Sequence, residues 1–132
     1  MLKKILLLSL LLGSTATFAS TCPLASSINI EYGWVAPQDW QEVYHHRDPK
    51  QPVTFANVSV TEKDEGYTVY CYYHGGYKND KPSAFVIMRQ YSRHEVTFLG
   101  NGWYTLYEGM TQCGTPNVHD PKYPTQPEAC AW

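Results

Sequence analysis

Residues 66–74 read GYTVYCYYH: four of the nine are tyrosines, one is a cysteine, and turn signals bound the stretch on both sides. β-Branched and aromatic residues fit a pleated, half-buried surface, so this stretch predicts a β-strand. Alternation sends Tyr67, Val69, Cys71 and Tyr73 one way, and Thr68, Tyr70, Tyr72 and His74 the other. Residues 53–62 (VTFANVSVTE) alternate as well, and Lys63-Asp64-Glu65-Gly66 offers a four-residue hairpin connection between the two. That connection pairs Val60 with Val69, Val58 with Cys71 and Ala56 with Tyr73. On the opposite face it pairs Ser59 with Tyr70, Asn57 with Tyr72 and Phe55 with His74. One register therefore separates a dry face from a wet aromatic face, as a correct register must.

Outward from the hairpin, residues 1–19 read as an export signal. Lys3 and Lys4 form a basic start, residues 5–12 an apolar run, and Thr17-Phe18-Ala19 a small-x-small cleavage site. A lipid-attachment signal at Cys22 fits less well, because Ala19 stands where leucine is wanted and Thr21 where a smaller residue is. The apolar run is too short to span a bilayer, and no later segment approaches the needed length. Removing 19 of 132 residues leaves 113 (residues 20–132), enough for one secreted domain with a real core but not for two. Losing two lysines moves the net charge from −2 to −4. Nucleic acid is excluded as a partner, since it needs a basic footprint that this chain lacks.

Cys22, Cys71, Cys113 and Cys130 all lie in the mature part. An even count in an exported chain argues for two disulfides, and four cysteines allow three connectivities. No pair has the C-x-x-C spacing of a zinc or redox site. The favoured pairing is Cys113–Cys130, closing a short loop at up to about 3 kcal/mol of loop entropy, with Cys22–Cys71 tying the N-terminus to the central strand.

Further strands are expected over residues 26–34, where Ile28, Ile30 and Tyr32 alternate with polar residues, and over 84–91 (AFVIMRQY), whose apolar start suits a central strand. Residues 40–44 suit either a short strand or one helical turn. Residues 94–108 predict a hairpin around Gly100-Asn101-Gly102. A three-residue loop there pairs Phe98 with Tyr104, Val96 with Leu106 and His94 with Glu108, and avoids setting Glu95 opposite Glu108. Residues 45–52 and 75–83 read as polar loops, and 114–127, with four prolines, as an irregular strap. The expected fold is all-β: an antiparallel β-sandwich or curled sheet stapled by two disulfides.

Cys22-Pro23 directly after the signal, Gly33-Trp34 with Trp40, Tyr70-Cys71-Tyr72 in a strand and Cys130-Ala131-Trp132 together resemble a family of small secreted bacterial proteins classed as a domain of unknown function. The resemblance covers the whole mature chain and implies a bacterial, extracytoplasmic protein. It carries no catalytic residues. Periplasmic lysozyme inhibitors of the small β-barrel type also combine a tyrosine- and cysteine-bearing strand with a disulfide. Their Ser-Gly-x-x-Tyr motif is missing here, which argues against lysozyme as the target.

The candidate ligand-binding residues are Asn57, Tyr70, Tyr72 and His74, with Phe55 beside them. Tyrosine offers a rigid apolar plane with a polar tip, suited to sugar rings or a protein partner. The alternative is that a second sheet buries this face. His45, His46, His74, His94 and His119 show no metal-ligand spacing, even with Asp48 and Asp120 beside two of them, so no metal and no cofactor are expected. The G-x-S-x-G, H-E-x-x-H and P-loop motifs are absent from the sequence, and oxidised cysteines supply no thiolate. Asn57-Val58-Ser59 is a glycosylation sequon placed in mid-strand. These readings favour a non-enzymatic exported binding module for a protein or glycan. The alternative is a small hydrolase or metal-dependent enzyme using His with Asp or Glu. A histidine bonded to a carboxylate inside a concave pocket would favour the enzyme.

Overall fold

The computed structural model describes residues 19–30, 33–46, 52–75, 84–114 and 126–132. Six strands form one antiparallel sheet: β3 (Gln41–His46), β4 (Val53–Lys63), β5 (Gly66–Gly75), β6 (Ala84–Ser92), β7 (Trp103–Tyr107) and β8 (Met110–Gly114). They lie in the order β3-β6-β5-β4-β8-β7. A helical turn α1 (Ala25–Ile28) leads into a two-stranded ribbon of β1 (Asn29–Ile30) and β2 (Gly33–Trp34), and a 3-10 turn covers Pro127–Cys130. The expected all-β, antiparallel fold is thus one six-stranded sheet with a small ribbon.

The central hairpin takes the expected register from Asn57–Tyr72 to Val60–Val69, and closes tightly at Lys63–Gly66 with Asp64 in the left-handed region (φ 54°). Beyond Asn57 the register shifts. A bulge at Ala56 sets Phe55 opposite Tyr73, and Thr54 rather than Phe55 opposite His74. The extra residue turns Phe55 from the wet face to the dry one, where it is buried and meets the Tyr73 ring edge-on at 5.9 Å. Beside the bulge, β8 ends at Gly114 with φ +105°; a Cβ there would lie 2.6 Å from the Ala56 carbonyl oxygen, so the position requires glycine.

The dry face is the core. One row runs Met88–Cys71–Val58–Cys113–Trp103 across five strands, and its first four members are fully buried. Both disulfides leave from this row, Cys71 to Cys22 and Cys113 to Cys130, in the favoured connectivity. They suit an oxidising, extracytoplasmic environment. The covering layer consists of Cys22, Ile28, Trp34, Trp40, Val96, Cys130 and Trp132 rather than a second sheet. The two described ends meet there, Ser20 N donating to the Trp132 carbonyl (2.7 Å) and Trp132 N to the Ser20 carbonyl (2.9 Å).

Two expected strands fold otherwise. In 26–34, Ser27 N and Oγ both donate to the Leu24 carbonyl and close a helical turn, which carries Ile28 into the core. Asn29 then acts as a one-residue strand partner: its Nδ2 donates to the Val53 carbonyl (2.8 Å), and Val53 N donates to its Oδ1 (3.0 Å). The 94–108 hairpin does not form. β7 pairs with β8 across Glu108-Gly109, so His94 is not set opposite Glu108. Residues 94–99 instead join the covering layer, with Leu99 N donating to the Ala131 carbonyl and the Phe98 ring 4.6 Å from that of Trp103. Residues 40–44 resolve as edge strand β3, while 84–91 form β6 between β3 and β5, an interior strand as expected. The export signal up to residue 18, most of the 45–52 and 75–83 loops, and residues 115–125 with His119 and Asp120 lie outside the described residues.

Candidate binding face

The opposite face of the sheet follows from the registers. β5 contributes Thr68, Tyr70, Tyr72 and His74; β4 contributes Thr54, Asn57, Ser59, Thr61 and Lys63. Opposite the β5 residues, β6 sets Tyr91, Arg89, Ile87 and Phe85, and β3 adds Gln41, Tyr44 and His46. Among these strand residues, histidines aside, the charged groups are Lys63 and Arg89.

The four candidates do not share one environment. Tyr70, Tyr72 and His74 are partly exposed, whereas Asn57 is 7 % exposed and forms the floor between them and β8. Ser59 beside it is buried, and its hydroxyl donates to Tyr72 Oη at 3.4 Å, which fixes the rim tyrosine from below. Phe55 belongs to the core, as the bulge dictates. The face extends further than the central hairpin: Tyr44 and Tyr91 are exposed at 47 % and 56 %. Tyr91 was missed because 84–91 reads as apolar on both faces, although the alternation of Phe85, Ile87, Arg89 and Tyr91 was the available signal; Tyr44 was missed because 40–44 suits a strand or a helical turn equally.

At one end of the face, aromatic rings gather around Phe85. Tyr44 lies 5.2 Å from it, His46 stacks on it at 5.3 Å, and His74 meets it edge-on at 6.3 Å. His74 Nδ1 is buried with no hydrogen-bond partner among the described residues. Burial holds the His74 imidazole below the ordinary histidine pKa. The unfolded chain, titrating near ~6.5, therefore gains a proton that the folded state resists. The stability from neutral His74 is complete above that pH and is lost as pH falls through the lower folded value. Urea midpoints at pH 7.5 and pH 5 should fall less in His74→Gln than in the parent. Equal falls would show that another group sets the acid sensitivity.

At the other end a cleft of about 450 Å³ opens beside Lys63, Thr68, Tyr70, Arg89 and Tyr91, with Asp39 and Gln41 on its far wall. Gln41 Oε1 accepts from the Arg89 guanidinium at 2.6 Å. A second cleft, about 440 Å³, lies at the edge of the covering layer and is lined in part by His94, Glu95 and Trp132. A histidine–carboxylate contact exists elsewhere, His45 Nδ1 to Glu42 Oε1 at 2.5 Å, but it sits on exposed strand β3 and lines neither cleft. No group of three or more His, Cys, Asp or Glu among the described residues is placed to hold a metal ion. No helix among them is long and apolar enough to cross a membrane. Compared with known protein families, curated proteins and solved structures, the chain finds no match.

Proposed function

We propose that this chain is an exported, non-enzymatic binding module of bacterial origin, processed after Ala19, that engages a glycan or a protein through the aromatic face of its sheet. The observation that carries this reading is the placement of Tyr70 and Tyr72, partly exposed on the side away from the core, on the same face as the exposed rings of Tyr44 on β3 and Tyr91 on β6. Covering segments, both disulfides and the buried apolar side chains occupy the other side. Rigid tyrosine planes presented by paired strands suit recognition, because little side-chain freedom is lost on contact. The histidine–carboxylate contact offers no competing pocket, since it lies in the open on an edge strand.

The test is the double variant Tyr70→Ser/Tyr72→Ser. The double variant should still fold, with only a modest fall in melting temperature, since both rings are half-buried and the loss of Tyr72 strands the buried Ser59 hydroxyl at a cost of about 1–3 kcal/mol. Retention on immobilised oligosaccharides, or on protein partners captured from the native envelope and identified by mass spectrometry, should be lost. A large fall in melting temperature would return both tyrosines to a structural role and sink the proposal.

A further inference from the structure

The cleft between the ends of β4, β5 and β6 has a chemistry that the rest of the aromatic face lacks. We propose that it is the subsite for the carboxylate of an acidic saccharide, a uronate-type ring; this rests on the binding-module reading above and narrows it to one ligand class.

Three observations carry it. The cations of the face converge on this cleft, Lys63 from the end of β4 and Arg89 from β6, and neither has a carboxylate partner among the described residues. Asp39 also lines the cleft but pairs with neither of them, so the wall keeps an excess positive charge in a chain that is acidic overall. Second, Arg89 is pre-set. Gln41, its register partner on β3, accepts one guanidinium N–H at 2.6 Å, which leaves the other donors of the planar fork for a ligand. Third, the Tyr91 ring lies over a glycine. Gly66 is buried, and a Cβ there would fall 2.3 Å from Tyr91 Oη, so the ring lies over the glycine and frames the cleft together with Tyr70. An aromatic plane beside a fixed guanidinium matches a sugar ring that bears a carboxylate. The Thr68 hydroxyl and the Asp39 carboxylate are on hand for ring hydroxyls. The lining offers no apolar slot for a peptide side chain, which favours the saccharide over an acidic peptide.

The probe is trigalacturonate, titrated by calorimetry into the disulfide-intact mature chain. Its fully methyl-esterified form serves as the neutral counterpart and tri-glutamate as the acidic peptide. The acid form should bind about tenfold more tightly than the ester, as expected when a charge-assisted hydrogen bond is lost. Its affinity should weaken from low salt to about 150 mM, because the cations are solvent-accessible. Arg89→Gln should remove most of the preference for acid over ester and Lys63→Gln a smaller part of it, with Arg89→Lys between Arg89→Gln and the parent. Equal affinity for acid and ester would overturn the carboxylate subsite while leaving the aromatic face in place. Tri-glutamate binding more tightly than the saccharide would overturn the saccharide assignment. Failure of both saccharides to bind would also overturn the inference. The wider reading stands or falls separately, on capture by the Tyr70→Ser/Tyr72→Ser variant.

Discussion

Replacing Cys22 and Cys71 together by alanine is expected to lower stability by about 4 kcal/mol, against ~3 kcal/mol for Cys113 and Cys130. The order follows from loop closure, because the bridges span 49 and 17 residues and the entropy removed from the unfolded chain grows with the logarithm of loop length. Packing adds to the first of these losses. Cys22 anchors the segment that carries Ile28 and Trp40 onto the core, and Cys71 is fully buried in the middle of the sheet. Urea unfolding of both double variants measures this directly. A larger loss from the shorter bridge would show that chain entropy does not control their contribution.

Tyr73→Ala is expected to cost ~3–5 kcal/mol, the range for truncating a large aromatic core side chain. Tyr73 is fully buried, packs against Phe55, and donates its hydroxyl to the Pro23 carbonyl at 2.5 Å. Desolvation pushes that hydroxyl far above the ordinary tyrosine pKa, so it remains a donor throughout the accessible pH range. Tyr73→Phe keeps the ring but strands the Pro23 carbonyl, at a cost of ~1–2 kcal/mol. The gap between the two variants, read from unfolding midpoints, isolates the ring. If phenylalanine cost as much as alanine, the hydrogen bond to the N-terminal segment would be the dominant tie.

The hairpin of β4 and β5 was legible because both segments alternate in phase and a polar turn joins them. The two pairs that failed, Ala56 with Tyr73 and Phe55 with His74, were not legible, since a bulge adds a residue without changing the composition on either side. The hairpin at 94–108 failed for a different reason. Gly100-Asn101-Gly102 is the louder turn signal, but Met110–Gly114 alternates poorly and is recruited by partners remote in sequence, β4 along its length and Cys130 across the disulfide. Asn29 was equally silent, because pairing through a side-chain amide leaves no periodic trace. Of the candidate site, the tyrosine pair was read from strand parity. The Arg89 cleft was not, because it exists only where three strands end together.

The row through Met88, Cys71, Val58, Cys113 and Trp103 also fixes how the chain answers a mechanical pull. Tension applied at residues 20 and 132 passes through one disulfide into Cys71 and leaves the sheet at Cys113, so both long terminal stretches are bypassed. Only the stretch joining those cysteines, 42 peptide steps (113 less 71), can lengthen, to a span of ~150 Å at full extension. With both bridges reduced, the 108 peptide steps from Cys22 to Cys130 (130 less 22) give a span of ~380 Å. Oxidation of the two cysteine pairs therefore turns an extensible chain into a short, stiff link.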